Sequence, residues 1–295
     1  MKVLNYGSLN IDYVYEVDHF VIKGETISSN NMYKNAGGKG LNQSIALRRA
    51  GIDVYHAGMI GEDGIFLENI LKSEKINTSF LQKSKTVPTG NAIIQNELSG
   101  DNCIILYGGA NCSILKEDID RTFEMFEEGD YIILQNEINE MPYIVEKASQ
   151  KKMKIAFNPT PINENIMKIE LKNIDFLILN EIEATFFIKE EINKKNIEKL
   201  KNIFPKAEII ITLGEKGSIC LTKDKVIVQN PYKVKPVDTT GAGDTFIGYY
   251  MANRIKGIDI KTSMDIASKA AAISITKKGA ASSIPTKEEL NNFIF

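Results

Sequence analysis

Short apolar segments of strand length alternate with longer amphipathic segments through the middle of the chain. The alternation predicts strands at 54–60, 131–134, 154–157, 176–179 and 208–213, and helices at 65–75 and 141–151. Buried apolar strands separated by amphipathic helices form a parallel sheet that is covered on both faces. The sequence therefore predicts an α/β fold. At 295 residues, the chain has room for one such domain with a small appendage, or for two domains.

Two stretches outside this alternation have the two-residue period of β-hairpins. Residues 12–36 alternate around a turn at 23–25, and residues 91–95 and 102–107 flank a second turn at 98–102. Isolated hairpins are marginally stable, so we expect the two to join into one small sheet that covers another part of the molecule. Its apolar face would also suit contact with a second subunit.

The composition is that of an ordinary globular protein and excludes several classes of partner. Hydrophobic residues make up 43% of the chain and charged residues 25%. The net charge of −2 argues against nucleic acid as the main partner. No segment approaches the ~18 apolar residues of a membrane span, and polar residues interrupt the N-terminal run, unlike a signal peptide. The three scattered cysteines favour a reducing compartment, so we expect a cytoplasmic protein with no membrane contact.

The stretch 237–250 combines an anion-binding turn with a carboxylate and reads VDTTGAGDTFIGYY. It predicts a strand, a turn of small residues at Gly241, Ala242 and Gly243, and the start of a helix. Exposed backbone N–H groups at a helix N-terminus attract anions such as a phosphoryl group. Asp244 would be repelled by that anion unless it takes a proton from an incoming hydroxyl. A plain helix cap is the alternative, and this motif alone does not decide between them.

Two segments near the N-terminus offer polar groups that suit a sugar. Asn10 and Asp12 follow a predicted strand at 3–6 and point the same way if the chain stays extended, as vicinal hydroxyls require. The alternative is an Asx turn. Glycines around Lys39 then lead into a helix that ends at Gly51, with Asn42 in its first turn. This segment is neither a Walker A loop nor a GxGxxG fingerprint, and the alternative is a tight loop before a helix.

Further polar residues cluster where the predicted parallel strands end. Ligands bind at this edge of an open α/β sheet. The cluster comprises Gln135, Asn136 and Glu137 after one strand, 158–161 after the next, Asn180 and Glu183 after another, and 212–217 after the last. Two amphipathic helices, predicted at 263–278 and 287–294, complete the chain.

Eight short motifs occur in one order over nearly the whole chain: GSLNID, GGKGLNQS, LQNE, NPTP, NEIE, ITLGEKG, DTTGAGDTF and KKGAASSIP. In these motifs the chain resembles the ribokinase-like, or PfkB, family of carbohydrate kinases. The resemblance implies one kinase domain over 1–295, folded as a three-layer α/β/α sandwich with a mostly parallel central sheet. It also implies a small β-sheet lid, from about 12–36 and 90–108, that often pairs with the lid of a second subunit.

The resemblance further implies a role for individual residues. The catalytic base would be Asp244, with Gly241, Ala242 and Gly243 as the anion hole. The sugar would be bound by Asn10, Asp12, Gly38, Lys39, Gly40, Asn42, Glu137 and Asp244. The nucleotide would be bound by Asn180, Glu183, Thr212, Gly214, Gly217, Gly243 and Ser268, with Glu183 also reaching Mg²⁺ through water. A monovalent cation, K⁺, would be bound by Asp238, Thr240, Ser274, Lys277, Gly279 and Ser283.

The implied reaction is transfer of the γ-phosphoryl group of ATP to a primary hydroxyl of a pentose, most simply O5 of D-ribose. A homodimer formed through the lid is expected. One alternative is another kinase of the family, for deoxyribose, a nucleoside, fructose or 2-keto-3-deoxygluconate. The other is a non-catalytic sugar or nucleotide sensor on the same fold. Asp244 beside its small-residue turn argues against the sensor, because a sensor has no use for a base.

Overall fold

The computed structural model describes residues 1–97, 101–193 and 195–294. The strands are β1 (Val3–Tyr6), β2 (Asn10–Val17), β3 (Asn31–Gly37), β4 (Tyr55–Gly61), β5 (Asn77–Ser84), β6 (Gly90–Glu97), β7 (Asn102–Tyr107), β8 (Tyr131–Gln135), β9 (Lys154–Asn158), β10 (Phe176–Asn180), β11 (Glu208–Thr212), β12 (Ser218–Leu221) and β13 (Val226–Gln229). The α-helices are α1 (Lys39–Arg49), α2 (Ile65–Ser73), α3 (Lys116–Phe123), α4 (Met141–Gln150), α5 (Glu181–Ile188), α6 (Lys199–Ile203), α7 (Ala242–Ile255), α8 (Ile260–Ser274) and α9 (Lys287–Asn292).

A nine-stranded sheet forms the centre of the molecule, in the order β13-β12-β11-β10-β9-β8-β1-β4-β5. Its strands from β11 to β5 pair in parallel, and β12 and β13 add an antiparallel edge. This confirms the predicted mostly parallel sheet. The strands predicted from the apolar runs are all present, and their ends differ from the predicted ones by at most one residue.

Helices cover both faces of this sheet, because successive strand residues point to opposite sides. On β8, Ile132 and Leu134 belong to one apolar cluster and Ile133 to the other. The first cluster is completed by side chains of α3 to α6, and the second by side chains of α1, α2, α7 and α8. The predicted three-layer α/β/α sandwich is therefore confirmed.

A second, four-stranded sheet has the order β3-β2-β6-β7. Strands β2 and β3 form the first predicted hairpin, and β6 and β7 form the second. Parallel pairing of β2 with β6 joins the two hairpins into one sheet, as expected. The second predicted turn includes 98–100, which lie outside the described residues.

The strand predicted immediately before Gly241 is wrong. Residues 230–239 form no strand, and the backbone N–H of Val237 instead donates to the carbonyl of Ile275 at 2.7 Å. Pro231 and Pro236 explain the difference, because proline cannot donate to a strand ladder. The segment before the turn is thus held by the end of α8 rather than by the sheet.

No helix among the residues that the structure describes is long and apolar enough to cross a membrane.

Candidate active site

The predicted anion-binding turn opens α7, a largely buried helix of the second cluster. Gly241 precedes the helix with φ +75°, a left-handed conformation that favours glycine. Ala242 and Gly243 form the first residues of the helix, and Asp244 follows in the same turn with 7% of its surface exposed. We call residues 241–243 the cradle. A Cβ placed on Gly243 would meet nothing within 4 Å, so the space beside the cradle is open.

Both carboxylate oxygens of Asp244 accept a hydrogen bond from the first turn of α1. The Nδ2 of Asn42 donates to Oδ2 at 2.9 Å, and the Nε2 of Gln43 donates to Oδ1 at 2.9 Å. Asn42 is a residue that the sequence predicted for the site, whereas Gln43 was missed. Its position beside Asn42, in the first turn of the same helix, was the available signal.

Asn10 and Asp12 lie on β2 and point to the same side of the small sheet, as their spacing predicts. The Nδ2 of Asn111 donates to Oδ1 of Asn10 at 2.7 Å, and Oδ1 of Asn111 accepts from the backbone N–H of Leu9 at 3.1 Å. Asn111 was not predicted from the sequence. It follows β7 and is distant from Asn10 along the chain, so only the fold could bring the two together.

Glu137 lies beyond the end of β8 and contacts the loop before α1. Its carboxylate accepts the backbone N–H of Lys39 at 3.0 Å and the hydroxyl of Ser8. The start of α1 requires a glycine at Gly38, which has φ +94°. Glu137, Lys39 and the Asn10–Asp12 pair therefore surround one region.

The charges of this region act strongly on one another. Burial, and next the negative charge of Glu137, raise the pKa of Asp12 to about 7. Burial also raises the pKa of Glu137, against the opposing charge of Lys39. Burial by itself would lower the pKa of Lys39, but the carboxylates of Asp244, Glu137, Glu183 and Asp12 together raise it. Lys39 is therefore a permanent positive charge within electrostatic reach of four acids.

Two cavities lie around these groups. The first, of about 590 Å³, is lined by Asn10, Asn111 and Glu137 together with Leu106 and Tyr107 of β7. We call it the β7 cleft; of the predicted sugar-binding residues, Asn10 and Glu137 line it. The second, of about 720 Å³, is lined by residues of both the cradle and the predicted nucleotide set, and we call it the nucleotide cavity. Its lining includes Thr212, Gly214, Gly217, Ala242, Gly243 and Ser268.

Asn180 and Glu183 form a capping box at the start of α5 instead of lining a cavity. The Oδ1 of Asn180 accepts the backbone N–H of Glu183 at 2.9 Å, and the carboxylate of Glu183 accepts the backbone N–H of Asn180 at 2.9 Å. The Thr160 hydroxyl also donates to Glu183. Among the described residues that line the two cavities, neither Asn180 nor Glu183 occurs.

The residues predicted for a monovalent cation lie in two connected segments. The carboxylate of Asp238 accepts the backbone N–H of Thr240 at 2.9 Å and that of Gly279 at 2.8 Å. Burial would raise the pKa of Asp238, but these hydrogen bonds outweigh it and lower the pKa. The hydroxyls of Ser274 and Ser283 donate to backbone carbonyls of Ala271 and Ala280.

The ammonium group of Lys277 forms an ion pair with Glu289. The group of Lys277 that could bind a cation is therefore its backbone carbonyl. Carboxylate and carbonyl oxygens are the ligands that hard cations prefer. The donor set therefore fits an alkali cation.

An open cradle at a helix N-terminus, a buried carboxylate beside it and a nearby cleft lined by polar side chains suit a small-molecule phosphotransferase of the α/β class. The comparisons with known proteins agree. The model for the pfkB family of carbohydrate kinases matches residues 1–287, and the chain belongs to this family. It is a phosphotransferase with an alcohol group as acceptor.

Several relatives match the whole chain. The ribokinase of Staphylococcus aureus is 33% identical, over 98% of this chain and 98% of its own. The crystal structure of ribokinase from Thermotoga maritima has a TM-score of 0.87 and 32% identity, covering 98% of both chains. The structure of Arabidopsis thaliana ribokinase complexed with ribose and ATP has a TM-score of 0.86 and 26% identity, covering 99% of both chains. The predicted family, fold and class of enzyme are confirmed, and the roles of individual residues remain predictions.

Proposed function

We propose that this chain transfers the γ-phosphoryl group of ATP to O5 of D-ribose and so forms D-ribose 5-phosphate. The observation that carries the proposal is the buried carboxylate of Asp244, which follows the cradle directly and accepts hydrogen bonds from Asn42 and Gln43 of α1. The choice of ribose is supported by the ribokinases that match almost the full chain, one of them in complex with ribose and ATP.

The sugar hydroxyls would be bound by groups from β2, from the end of β8 and from the start of α1. Asp12 and Glu137 supply carboxylate acceptors, and Lys39 supplies a charged donor. The Oδ1 of Asn42 is buried and accepts no hydrogen bond from the described residues. Because an unsatisfied buried oxygen costs free energy, a substrate hydroxyl that donates to it would be favoured.

Further sugar contacts would come from Asn10 and from the backbone around Gly38 and Gly40. Asn10 is already oriented by Asn111, so its amide is fixed before a substrate arrives. Side chains held in place in this way bind at a lower entropic cost.

In the reaction, Asp244 would accept the proton of the primary hydroxyl as the hydroxyl oxygen forms a bond to the γ-phosphorus. The bond between that phosphorus and the β,γ-bridging oxygen breaks, and ADP leaves with the electron pair. The backbone N–H groups of Gly241, Ala242 and Gly243 would hold the oxygens of the transferring group. Such a donor is typically worth about 3 kcal/mol of transition-state stabilisation.

The nucleotide would occupy the nucleotide cavity, with Thr212, Gly214, Gly217 and Ser268 around it and its phosphates at the cradle. Magnesium, when bound, neutralises charge on the phosphates. The described residues contain no group of three or more His, Cys, Asp or Glu side chains that could hold a metal directly. A Mg²⁺ ion would therefore be held mainly by the phosphates, and Glu183 would contribute through water from its position in the α5 capping box.

A monovalent cation, K⁺, would be bound by Asp238, Thr240, Ser274, Lys277, Gly279 and Ser283, several through backbone carbonyls. These residues would hold the loop 277–283 against the segment that precedes the cradle. The cation would thereby act on the shape of the cradle and not on the reacting electrons.

The chain would work as one kinase domain over 1–295, with the small sheet as its lid and a second copy as its partner. A cross-strand row of Tyr13, Ile93 and Ile105 supports the dimer. Ile93 and Ile105 are 41% and 61% exposed, and pairing with a second lid would remove this surface from water. The three cysteines are free, which suits the reducing cytoplasm.

The direct test is ATP consumption by the full chain across a panel of sugars: D-ribose, 2-deoxy-D-ribose, D-fructose, 2-keto-3-deoxygluconate and nucleosides. We expect D-ribose to give the highest kcat/KM and 5-phosphate as the product by ³¹P NMR. Loss of the 2-hydroxyl would leave buried polar groups unpaired, so deoxyribose should be at least about a hundredfold poorer. A different preferred acceptor, or ATP consumption with none of them, would contradict the proposal.

A further inference from the structure

A chain of buried side-chain amides lies behind Asp244 and reaches into the centre of the large sheet. The Nε2 of Gln43 donates to Oδ1 of Asp244 at 2.9 Å, and the Nε2 of Gln135 donates to Oε1 of Gln43 at 2.8 Å. The same Nε2 of Gln135 donates to Oδ1 of Asn5 at 2.9 Å. Asn5, Gln43 and Gln135 are each 0% exposed. The chain therefore runs from α7 through α1 to β8 and β1 without contact with solvent.

Each amide in this chain is fixed in one orientation by the next. The Nδ2 of Asn5 donates to the carbonyl of Gly40 and to the hydroxyl of Ser44, both at 2.7 Å, so its Oδ1 must face Gln135. Gln135 then presents a donor to Gln43, which leaves the Nε2 of Gln43 to face the carboxylate. If Gln43 were flipped, its oxygen would lie against the carboxylate and its NH₂ against another NH₂, which is costly in a buried site.

The two oxygens of Asp244 consequently have different surroundings. Oδ1 faces Gln43, which is completely buried and cannot reach a substrate. Oδ2 faces Asn42, the residue predicted to bind the sugar, whose own Oδ1 is still free to accept. The buried Gln43 thus orients the carboxylate of Asp244 through Oδ1, and Oδ2 is the oxygen that would face the acceptor hydroxyl.

We propose that Gln43, oriented by Gln135, is a positioning residue that fixes the side-chain rotamer of Asp244 with Oδ2 toward the acceptor hydroxyl. The inference rests on the proposed function, because it takes Asp244 to be the base. A general base must lie within a fraction of an ångström of the position from which it takes the proton. A hydrogen bond to one carboxylate oxygen fixes the side-chain rotamer and so meets this requirement. Removing the support should therefore lower kcat more than it changes KM for the sugar.

Two substitutions at Gln43 test this in the full chain, assayed with D-ribose and MgATP. Gln43→Met keeps the length of the side chain and removes both the donor and the acceptor. We expect kcat to fall about tenfold to a hundredfold at every pH, the scale of one hydrogen bond to a charged group, with KM for ribose nearly unchanged. Gln43→Glu keeps the shape but can donate to Asp244 only while the introduced carboxyl is protonated. Its kcat should approach that of the unmodified enzyme at the acidic end of the range and fall as pH rises.

The pH dependence separates positioning from folding. A carboxyl group introduced at position 43 is disfavoured in its charged form by the adjacent carboxylate, and Lys39, Glu137, Glu183 and Asp12 are the other charged groups of this region. Ser263→Ala is the matched control, since Ser263 is equally buried but lies on α8, and its hydroxyl donates to the carbonyl of Ile258, outside the amide chain. The control should show the unmodified pH profile of kcat.

A kcat and pH profile that stay unchanged in Gln43→Met, with only the melting temperature lowered, would show a structural role and overturn the inference. If Gln43→Met does not fold, a kcat of Gln43→Glu that is independent of pH overturns it equally. Asp244→Asn is measured beside them. If that variant turns over normally, the proposed function fails; if it is inactive while both Gln43 variants behave as the unmodified enzyme, only the positioning role fails.

Discussion

Gly241 packs directly against Ala280: a Cβ placed on Gly241 would lie 3.0 Å from the Cβ of Ala280. This contact joins the start of α7 to the loop that carries Gly279 and Ser283. Asp238 adds a second connection, because its carboxylate accepts N–H groups from both Thr240 and Gly279. A displacement of that loop would therefore also displace the cradle.

Replacing Na⁺ by K⁺ at fixed MgATP and ionic strength should raise the initial rate of ribose phosphorylation. The larger K⁺ ion suits a site built largely from backbone carbonyls, and it would hold the loop in the position that Gly241 requires. Asp238→Asn should lose most of this response, whereas Asp259→Asn, the same change at the N-cap of α8 away from the loop, should keep it. Equal rates in the two salts would count against the cation site.

Gly243→Ala should separate stability from activity. The new methyl group would meet no protein atom within 4 Å, and alanine is a better helix former than glycine, so the melting temperature should stay level or rise slightly. The methyl group would occupy open space beside the cradle, where the γ-phosphoryl group is proposed to lie. We expect kcat/KM for ATP to fall at least about tenfold, corresponding to a loss of roughly 1.4 kcal/mol. Kinetics and thermal melting of the same preparation check both expectations.

The pKa of Asp12, raised to about 7, predicts a pH dependence of sugar use. Only the ionised carboxylate is a full acceptor for sugar hydroxyls, so kcat/KM for ribose should decline as pH falls below about 7. Asp12→Asn should have a lower kcat/KM for ribose, and its pH profile should lack this acidic decline. A decline that persists unchanged in Asp12→Asn would assign it to another group.

Ionisation of the Asp12 carboxyl group, which should favour sugar binding, should lower the stability of the fold. Because its pKa is higher in the folded state than in the unfolded state, the folded protein binds more protons between about pH 4 and 7. The contribution of Asp12 to the free energy of unfolding therefore decreases as pH rises through this window. Urea unfolding should show that Asp12→Asn gains stability relative to the unmodified protein above pH 7, and a constant difference at all pH values would contradict this.

The proposed dimer predicts that a charge in the cross-strand row of Tyr13, Ile93 and Ile105 separates the subunits. Ile105→Asp should convert the protein from a dimer to a monomer in sedimentation velocity, because a carboxylate would be buried without a partner. Leu115→Asp is the matched control, as Leu115 is similarly exposed, at 58%, but lies outside the small sheet. An unmodified protein that is already monomeric at high concentration would exclude the lid dimer.

Much of the fold could be predicted because its strands are buried on both faces and are therefore apolar without interruption. Strand β5 was missed since it lies at the sheet edge and alternates exposed polar residues, and β12 and β13 are short strands on the other edge. Helix α3 was missed because it has only eight residues, so its apolar stripe is marked by just two apolar side chains, Ile119 and Phe123. Edge elements are half exposed, and half exposure weakens the pattern on which the prediction depends.

The site was predictable where a motif brings its residues together along the chain, and not where the fold does. Asp244 and the cradle are consecutive, and Asn10 and Asp12 are two residues apart. Asn111 was missed, and Gln135 was predicted for the cluster at the strand ends but without its contact to Gln43. Both residues bind partners that are distant in sequence, and amide side chains have no distinctive spacing that predicts such contacts. The capping box at Asn180 and Glu183 is visible in the sequence as N-x-x-E, but the prediction gave it only a ligand-binding role.

The most direct test of the account is a single-turnover measurement on Asp244→Asn with D-ribose and MgATP, alongside calorimetric titration of both ligands. The amide keeps the size of the carboxylate but cannot take the hydroxyl proton. We predict that ribose and ATP bind within a few-fold of their unmodified affinities, while the rate of phosphoryl transfer falls by about a hundredfold to ten-thousandfold. A transfer rate close to that of the unmodified enzyme would contradict the assignment of Asp244 as the base.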